Sequence, residues 1–320
     1  MKKGIILCLL LCLFTLAGKA EVLELATVQE NNHVTVQADR YLEERVEAET
    51  GGNLTITVGA AGQLYGDEAG ILEALEKGDV ALGHVSVRTL AGRVPELSVF
   101  SLPYLFGGAE HLKSTLDHFL GSVMASAVQE RMPGLVVLGW YDNGGRCFYT
   151  KTQVVSAPDL NGLTLAAEET EAMDMFLGEL GAKRMTLGRH TVFSAIHQGV
   201  VDGGETDLPS LLWLGDYDGA PYIFLDRHTF APDILLMSAK VYERLSEEEQ
   251  QKLMQAARKT EGMEWELLRE TETEAINALR EYGCTLSMDD GGARESFTPM
   301  AEKTYSLVDP ALIEEIRNMK

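Results

Sequence analysis

The sequence predicts an α/β protein of two lobes with mostly parallel sheets, on the strength of three observations. The chain has 320 residues, and at roughly 150 residues per domain that length corresponds to two structural units, each able to fold without metal or disulfide staples. From Glu21 onward short apolar runs alternate with helical patterns in β-α-β-α-β order, which favours a parallel sheet with helices on its faces. No low-complexity tract or long linker divides the halves, and lobes joined in that way usually share crossing strands and move as hinged bodies.

Val22 to Ala26 (VLELA) reads as the first strand. Val34, Ala38, Tyr41, Leu42 and Val46 then recur at spacings of three and four, an amphipathic helix that stops at Gly51-Gly52. Leu54, Ile56 and Val58 alternate as a strand, Asp67 to Lys77 carries a helix closed by Gly78, and Val80 to Val87 is a further strand. The pattern returns in LVVLGW at 135–140, CFYT at 147–150 and LTLAA at 163–167, followed by a helix through Met173 and Leu177 capped by Gly181 and a short helix from Thr191 to Gln198. Ser246 and Glu249 form a capping box, in which a hydroxyl and a carboxylate reciprocally satisfy free amides at a helix start. Beyond it the stripe Leu253, Ala257, Trp265, Leu268, Ala275, Ile276 and Leu279 runs to Gly283. A continuous helix there is about 50 to 55 Å long at 1.5 Å per residue, long enough to lie along both lobes.

Ahead of these elements, Lys2 and Lys3 precede an apolar run from Ile5 to Leu16 and the small-residue end Ala17-Gly18-Lys19-Ala20. This is the pattern of a secretory signal cleaved after about Ala20, and its apolar run is shorter than the roughly 20 residues of a membrane span. Neither Cys8 nor Cys12 has the small-residue context of a lipoprotein site. The expectation is a soluble, exported protein. Removing residues 1–20 takes away three cations and no anion, so the formal charge of -22, from 27 Lys plus Arg against 49 Asp plus Glu, becomes -25. Such a chain repels polyanions, which argues against nucleic acid and anionic membranes as partners. The cysteines that remain, Cys147 and Cys284, either bridge in an oxidising compartment or stay as two buried thiols.

No catalytic constellation stands out. The seven histidines include no i,i+4 pair, and His190 and His197, seven apart, have no cysteine nearby. GxSxG, GxGxxG and GxxxxGK[ST] are all missing from the sequence. The expectation is a non-enzyme without cofactor or metal. Two segments carry more information. Gly144-Gly145-Arg146-Cys147-Phe148-Tyr149 places an arginine at a strand start behind two glycines, either as a solvated turn residue or as a guanidinium presented to an anionic group in a cleft. Gln198 to Asp207 (QGVVDGGETD) reads as a buried valine pair and a turn into a helix whose free amides point toward the same cleft.

Together these segments resemble the solute receptors of tripartite ATP-independent periplasmic (TRAP) transporters, the DctP-like family. Gly62-Gln63-Leu64 with ILEALEKGDVALGHVS at 71–86, PELSVFSLPYLF at 95–106, Ala157-Pro158-Asp159-Leu160-Asn161-Gly162-Leu163, and Ala195 to Gly203 (AIHQGVVDG) followed by Glu205 are similar to that family's ordered motifs. The resemblance implies a two-lobed periplasmic binding protein fold, with strands crossing the hinge near residues 143 and 231 and a long helix across both lobes. Lobe I would comprise residues 21–143 and 232–271, and lobe II residues 144–231 and 272–320. The implied function is capture of a small organic solute in the periplasm and delivery to integral-membrane permease subunits, with an additional periplasmic helical-repeat protein as a further partner in some relatives. A ligand sensor or partner-docking protein is the alternative use of the same fold.

The departures from the family pattern bear on the ligand. In most relatives the strand after the DLxG motif carries an arginine that clamps a ligand carboxylate, and here Ala166 stands in its place. Alanine supplies nothing of a bidentate arginine-carboxylate pair, so the expected ligand is neutral, zwitterionic or mainly apolar rather than a simple dicarboxylate. Arg146 matches a second arginine position of the family, and Thr206 stands where an Asn is common. Gln29, Glu68, Ser86, Phe148 and Trp213 complete the expected wall, and Glu168 either faces solvent at the strand end or enters the pocket to bind a ligand amine.

Overall fold

The computed structural model describes residues 20–288 and 291–319; the expected signal segment, apart from Ala20, lies outside the described residues. In chain order the strands are β1 (Glu21–Ala26), β2 (Leu54–Gly59), β3 (Leu82–Ser86), β4 (Leu135–Tyr141), β5 (Gly145–Thr150), β6 (Thr164–Ala166), β7 (Lys183–Met185), β8 (Gly203–Thr206), β9 (Tyr222–Phe230), β10 (Asp233–Ser238) and β11 (Thr285–Met288). They form two sheets, ordered β2-β1-β3-β10-β4 and β11-β9-β5-β8-β6-β7.

The sheets are mixed rather than mostly parallel, and the exceptions have one cause. β1 runs parallel to β2 and β3, β6 to β7 and β8, and β9 to β11. Every antiparallel ladder involves β5 or β10. These are the strands that follow the two crossings, at residues 142–144 and 231–232. A strand that arrives from the other lobe starts at the hinge, whereas its new neighbours end there, so it runs against them. The carboxyl ends of β1, β3, β6, β7 and β8 consequently converge on the space between the sheets, the usual place for a ligand in open α/β sheets.

The capping box opens a helix from Glu247 to Glu281, with the Ser246 amide donating to Glu249 Oε2 at 2.9 Å and the Glu249 amide donating to Ser246 Oγ at 3.3 Å. Thirty-five residues make about 52 Å. Its apolar stripe is divided between lobes. Leu253, Ala256 and Ala257 pack with Leu42 and Val46 in the first lobe, and Ala275 and Leu279 with Ile223 and Leu225 in the second. Between them Trp265 donates to the Trp140 carbonyl at 3.3 Å, and Glu264 Oε2 accepts the Asp142 amide at 3.1 Å. The helix thus grips the crossing segment itself.

The chain end divides in the same way. β11 and Phe297, in the helix Gly292–Thr304, pack in the second lobe. Ile313 and Ile316, in the helix Pro310–Asn318, share a core cluster with Phe100 and Leu112 of the first lobe. Assigning all of 272–320 to the second lobe leaves out this return, which is driven by two buried isoleucines on one helix face. Cys147 and Cys284 are free thiols within one apolar cluster.

Candidate functional site

Between the sheets lies a cleft of about 320 Å³, walled by both lobes and by the crossings. The first lobe contributes Gln29, His33 and Arg88, the crossings contribute Asn143, Gly144 and Ala231, and the second lobe contributes Arg146, Tyr149, Ala166, Glu168, Arg189, Glu205, Thr206, Asp207 and Asp216 among others.

Arg146 is the centre of the second lobe's wall, 16% exposed at its side chain. Close approach sets its position: a Cβ on Gly145 would lie 2.7 Å from the Arg227 side chain, and Gly144 has φ +82°. Its Nε pairs with Glu205 Oε2, its Nη2 donates to the Glu205 carbonyl at 2.7 Å, and Glu168 Oε1 lies 3.0 Å from Nε. Glu205 reaches the site because β8 lies against β5 and β6 at glycines; a Cβ on Gly204 would sit 2.7 Å from the Ala166 carbonyl oxygen. The other oxygen of Glu205 accepts the Glu168 amide at 2.8 Å. Burial alone would raise the Glu205 pKa, but Arg146 and then His228 outweigh it and hold the carboxyl below its ordinary value.

Behind Glu205 the polar chain continues inward. His228 Nε2 lies 3.6 Å from Glu205 Oε2, and its Nδ1 is 2.9 Å from Asp226 Oδ2. Asp226 also accepts from the Tyr104 hydroxyl at 2.7 Å and the Phe148 amide at 3.3 Å. Burial opposes the imidazolium, yet Asp226 and Glu205 push the His228 pKa up to about 9. Three acids and bases in series hold Arg146 in one place.

The first lobe reaches across. Arg88 Nη1 contacts Glu168 Oε1, so one carboxylate oxygen bridges arginines of opposite lobes. Ser86 and Glu68 prepare this arm. Ser86 Oγ accepts the Thr89 amide at 3.3 Å and so caps the short helix Val87–Ala91 that carries Arg88, while Glu68 Oε2 accepts from the Ser86 hydroxyl at 2.7 Å and from Thr89 Oγ1. His33 caps the helix Val34–Thr50 through Nδ1, which accepts the Thr35 amide at 3.3 Å, and burial lowers its pKa to about 4.

Several expectations change. Arg146, Thr206, Gln29, Ala166 and Glu168 do border the cleft, and Glu168 is turned inward rather than to solvent, its side chain 6% exposed. Phe148 does not. Phe148 lies opposite Glu205 in the regular β5–β8 ladder, two residues past Arg146 on the same face, and is fully buried against His228 with ring centroids 4.2 Å apart. Trp213 is 46% exposed and lies outside the cleft, with the Arg189 guanidinium 5.5 Å from its ring centroid. Glu68 and Ser86 support Arg88 rather than form the wall, because their polar atoms bond to each other. The Ser210 amide after β8 is not free for a ligand, since the Asp207 carboxylate accepts it at 2.8 Å. Sequence reasoning did not find Arg88, Asn143, Arg189 or Asp216; none stands in a pattern that marks it, and only Arg88, just after β3, had a positional hint.

This architecture has close parallels. The family model described as bacterial extracellular solute-binding protein, family 7 (DctP) matches residues 25–306. An uncharacterized protein, YiiZ, of Salmonella typhimurium is 32% identical over 259 residues, 79% of this chain and 77% of that one. A TRAP periplasmic solute-binding protein of Bradyrhizobium, solved with galacturonate, is 27% identical with a TM-score of 0.80, covering 93% of this chain and 100% of its own. Its counterpart from Xanthobacter autotrophicus Py2, also solved with galacturonate, is 26% identical with a TM-score of 0.81 at 93% and 100% coverage. Among the described residues no helix is long and apolar enough to cross a membrane. With two sheets joined by crossing strands, one long helix along both and a family match over most of its length, the chain belongs to family 7 of the bacterial extracellular solute-binding proteins, the periplasmic receptors of TRAP transporters.

Proposed function

We propose that this protein captures a small sugar-like solute, and not a simple C4-dicarboxylate, between its lobes and delivers it to the permease subunits of a TRAP transporter. The observation that carries the ligand assignment is the wall around Ala166: no arginine stands at that position, and Arg146, on the same wall, is already engaged by Glu205 and Glu168. A dicarboxylate entering this cleft would find Arg88 and Arg146 already paired with carboxylates, Arg189 bonded to the Ser210 hydroxyl, and the carboxylates of Glu169, Asp207 and Asp216 along the wall. The galacturonate held by relatives at 26 and 27% identity fits the same direction, since it presents several hydroxyls for a single carboxylate. The cleft volume is in the range that encloses a small ligand.

Mechanistically, the lobes act as two jaws on the crossings at 142–144 and 231–232. The long helix sets the hinge by holding Asp142 from both sides, its amide through the Glu264 carboxyl and its side chain through the Arg269 guanidinium at 2.5 Å. Closure brings Arg88 and Gln29 onto a solute resting on Thr206 and Tyr149. Whether a periplasmic helical-repeat protein joins the assembly is a question for co-purification from the native host.

Native mass spectrometry of the mature protein, released gently from its host, tests the assignment by weighing any bound solute, and isothermal titration then ranks sugars, sugar acids and succinate. A mass that matches a sugar-like compound supports the proposal. Tight succinate binding that Ala166→Arg fails to improve would overturn the argument from Ala166.

A further inference from the structure

The bridge at Glu168 extends this reading, and rests on it. Glu168 Oε1 touches Arg88 Nη1 from the first lobe and lies 3.0 Å from Arg146 Nε of the second, and its own amide is held by Glu205 Oε1 at 2.8 Å. An oxyanion between two guanidiniums, one from each jaw, is the arrangement that a bound carboxylate ligand would be expected to make. Here the carboxylate belongs to the chain. Both contacts are ion pairs, and Glu168 Oε1 has no hydrogen-bond partner besides.

A second observation concerns what the cleft still lacks. Asp216 Oδ1 is buried without a hydrogen-bond partner, while the other oxygen of Asp216 accepts from the Tyr149 hydroxyl at 3.1 Å. Asn143 Oδ1 is likewise buried and unpartnered, and its amide orientation is set by the Nδ2 donation to the Ala231 carbonyl at 3.1 Å. Both residues border the cleft. An unsatisfied buried acceptor costs about 1–3 kcal/mol, and a ligand that donates hydrogen bonds removes that cost. These open acceptors ask for hydrogen-bond donors, while Arg88 and Arg146 already share a carboxylate and Arg189, also on the cleft, donates to the Ser210 hydroxyl at 2.7 Å.

We infer that Glu168 occupies, from within the chain, the place of a ligand carboxylate between Arg88 and Arg146, so that the native cleft selects an uncharged polyhydroxylated solute over the corresponding acid. Glu168 is then a specificity-determining residue: it excludes acids by competing for their arginines at an effective concentration no free solute can match.

The test is titration of wild type, Glu168→Gln and Glu168→Ala with the matched pair D-galactose and D-galacturonate. Circular dichroism and thermal melts establish that each variant folds, and the isosteric Gln variant guards against collapse of the Ala one. Both variants are expected to bind galacturonate at least about tenfold more tightly than wild type, about 1.4 kcal/mol, and Arg88→Ala added to Glu168→Gln should abolish that gain. Galacturonate affinity that changes less than about threefold in both variants overturns the inference, as does loss of an amine-bearing native solute on Glu168→Gln. If the wild type binds some solute and only the predicted gain fails, the receptor reading stands and this inference falls. If no variant binds any member of a broad solute panel and none carries a solute from the host, both fall.

Discussion

His84 in the first lobe and His228 in the second are both fully buried, and each has a carboxylate in reach, Asp39 at 2.7 Å and Asp226 at 2.9 Å. Burial would discharge both rings, and in each case the carboxylate outweighs it and raises the pKa. The surroundings differ. Around His84 the hydrogen bonds stop: its Nδ1, Asp39 Oδ2 and the hydroxyl of Tyr141, whose ring lies 4.5 Å away, have no partners, and Asp233 and Glu68 act on the ring only through their charge. From His228 they continue through Glu205 to Arg146 and the cleft. The same acid-histidine pair is a local core feature in one lobe and the foundation of the ligand wall in the other. What separates them is whether the next group along carries a charge that must be held in place.

The largest expected effect comes from cutting the second chain at its middle. Glu205→Ala leaves Arg146 and a charged His228 buried without their shared counter-ion, and breaking such a pair costs about 3–5 kcal/mol; urea unfolding measures it, and a loss below about 1 kcal/mol would refute the chain as a coupled unit. Next is the pH dependence at His228. Its folded pKa of about 9 lies above the ordinary value of 6.5, so its stabilisation is complete below pH 6.5 and disappears as pH rises through 9. The gap in unfolding free energy between wild type and His228→Asn should therefore shrink by roughly 3 kcal/mol from pH 6 to pH 9.5. A gap independent of pH would mean that the ring is neutral in the fold.

The hinge carries a milder version of the first lobe's incomplete pairing. Glu264 is fully buried and its Oε1 has no partner, and burial followed by the nearby Asp142 raises its pKa well above the ordinary value. A proton that the fold retains and the unfolded chain releases makes stability fall as pH rises above about 4.5. Glu264→Gln keeps an acceptor for the Asp142 amide without that loss. Its melting temperature should therefore gain steadily on wild type as pH rises from 5 to 8, and a difference independent of pH would mean that Glu264 is ionised in the fold. The smallest effect is expected where contacts end. Replacing His84 and Asp39 together by leucine should change stability by less than about 1.5 kcal/mol and leave solute affinity untouched, because a buried pair removed whole exposes no lone charge. The matching double change at Asp226 and His228 should be far worse, since it takes from the buried Glu205 one of its two cationic neighbours and from the Phe148 amide its acceptor.

Much of the fold was legible because its signals are local. The capping box at Ser246, the stripe from Leu253 to Leu279 and the glycines at 51, 78 and 283 act within a turn or two of the chain, and each appears where the spacing places it. The family motifs were legible for the same reason. The cleft was legible only in part. Arg146 stood out behind its two glycines, but Phe148, two residues further on, is buried against His228 and Phe297, contacts from distant segments that its own segment does not mark. Trp213 and the supporting pair Glu68 and Ser86 carry residue types suited to a pocket, and type alone does not fix direction.

Periodicity, capping and composition are properties of neighbours along the chain, and they were enough for the first strands and helices, the helix that spans both lobes and the missing arginine at Ala166, but not for the strands at 222–230 and 233–238 or the helices that end the chain. Only the tertiary structure decided that Arg88 and Arg146 share Glu168, that His228 stands behind Glu205, and that the strands entering from across the hinge run against their neighbours. Those facts depend on where two lobes meet. Long-range electrostatic contacts are set by the directions of side chains on separate sheets, and no pattern of residues along one segment encodes the place where another segment will face it.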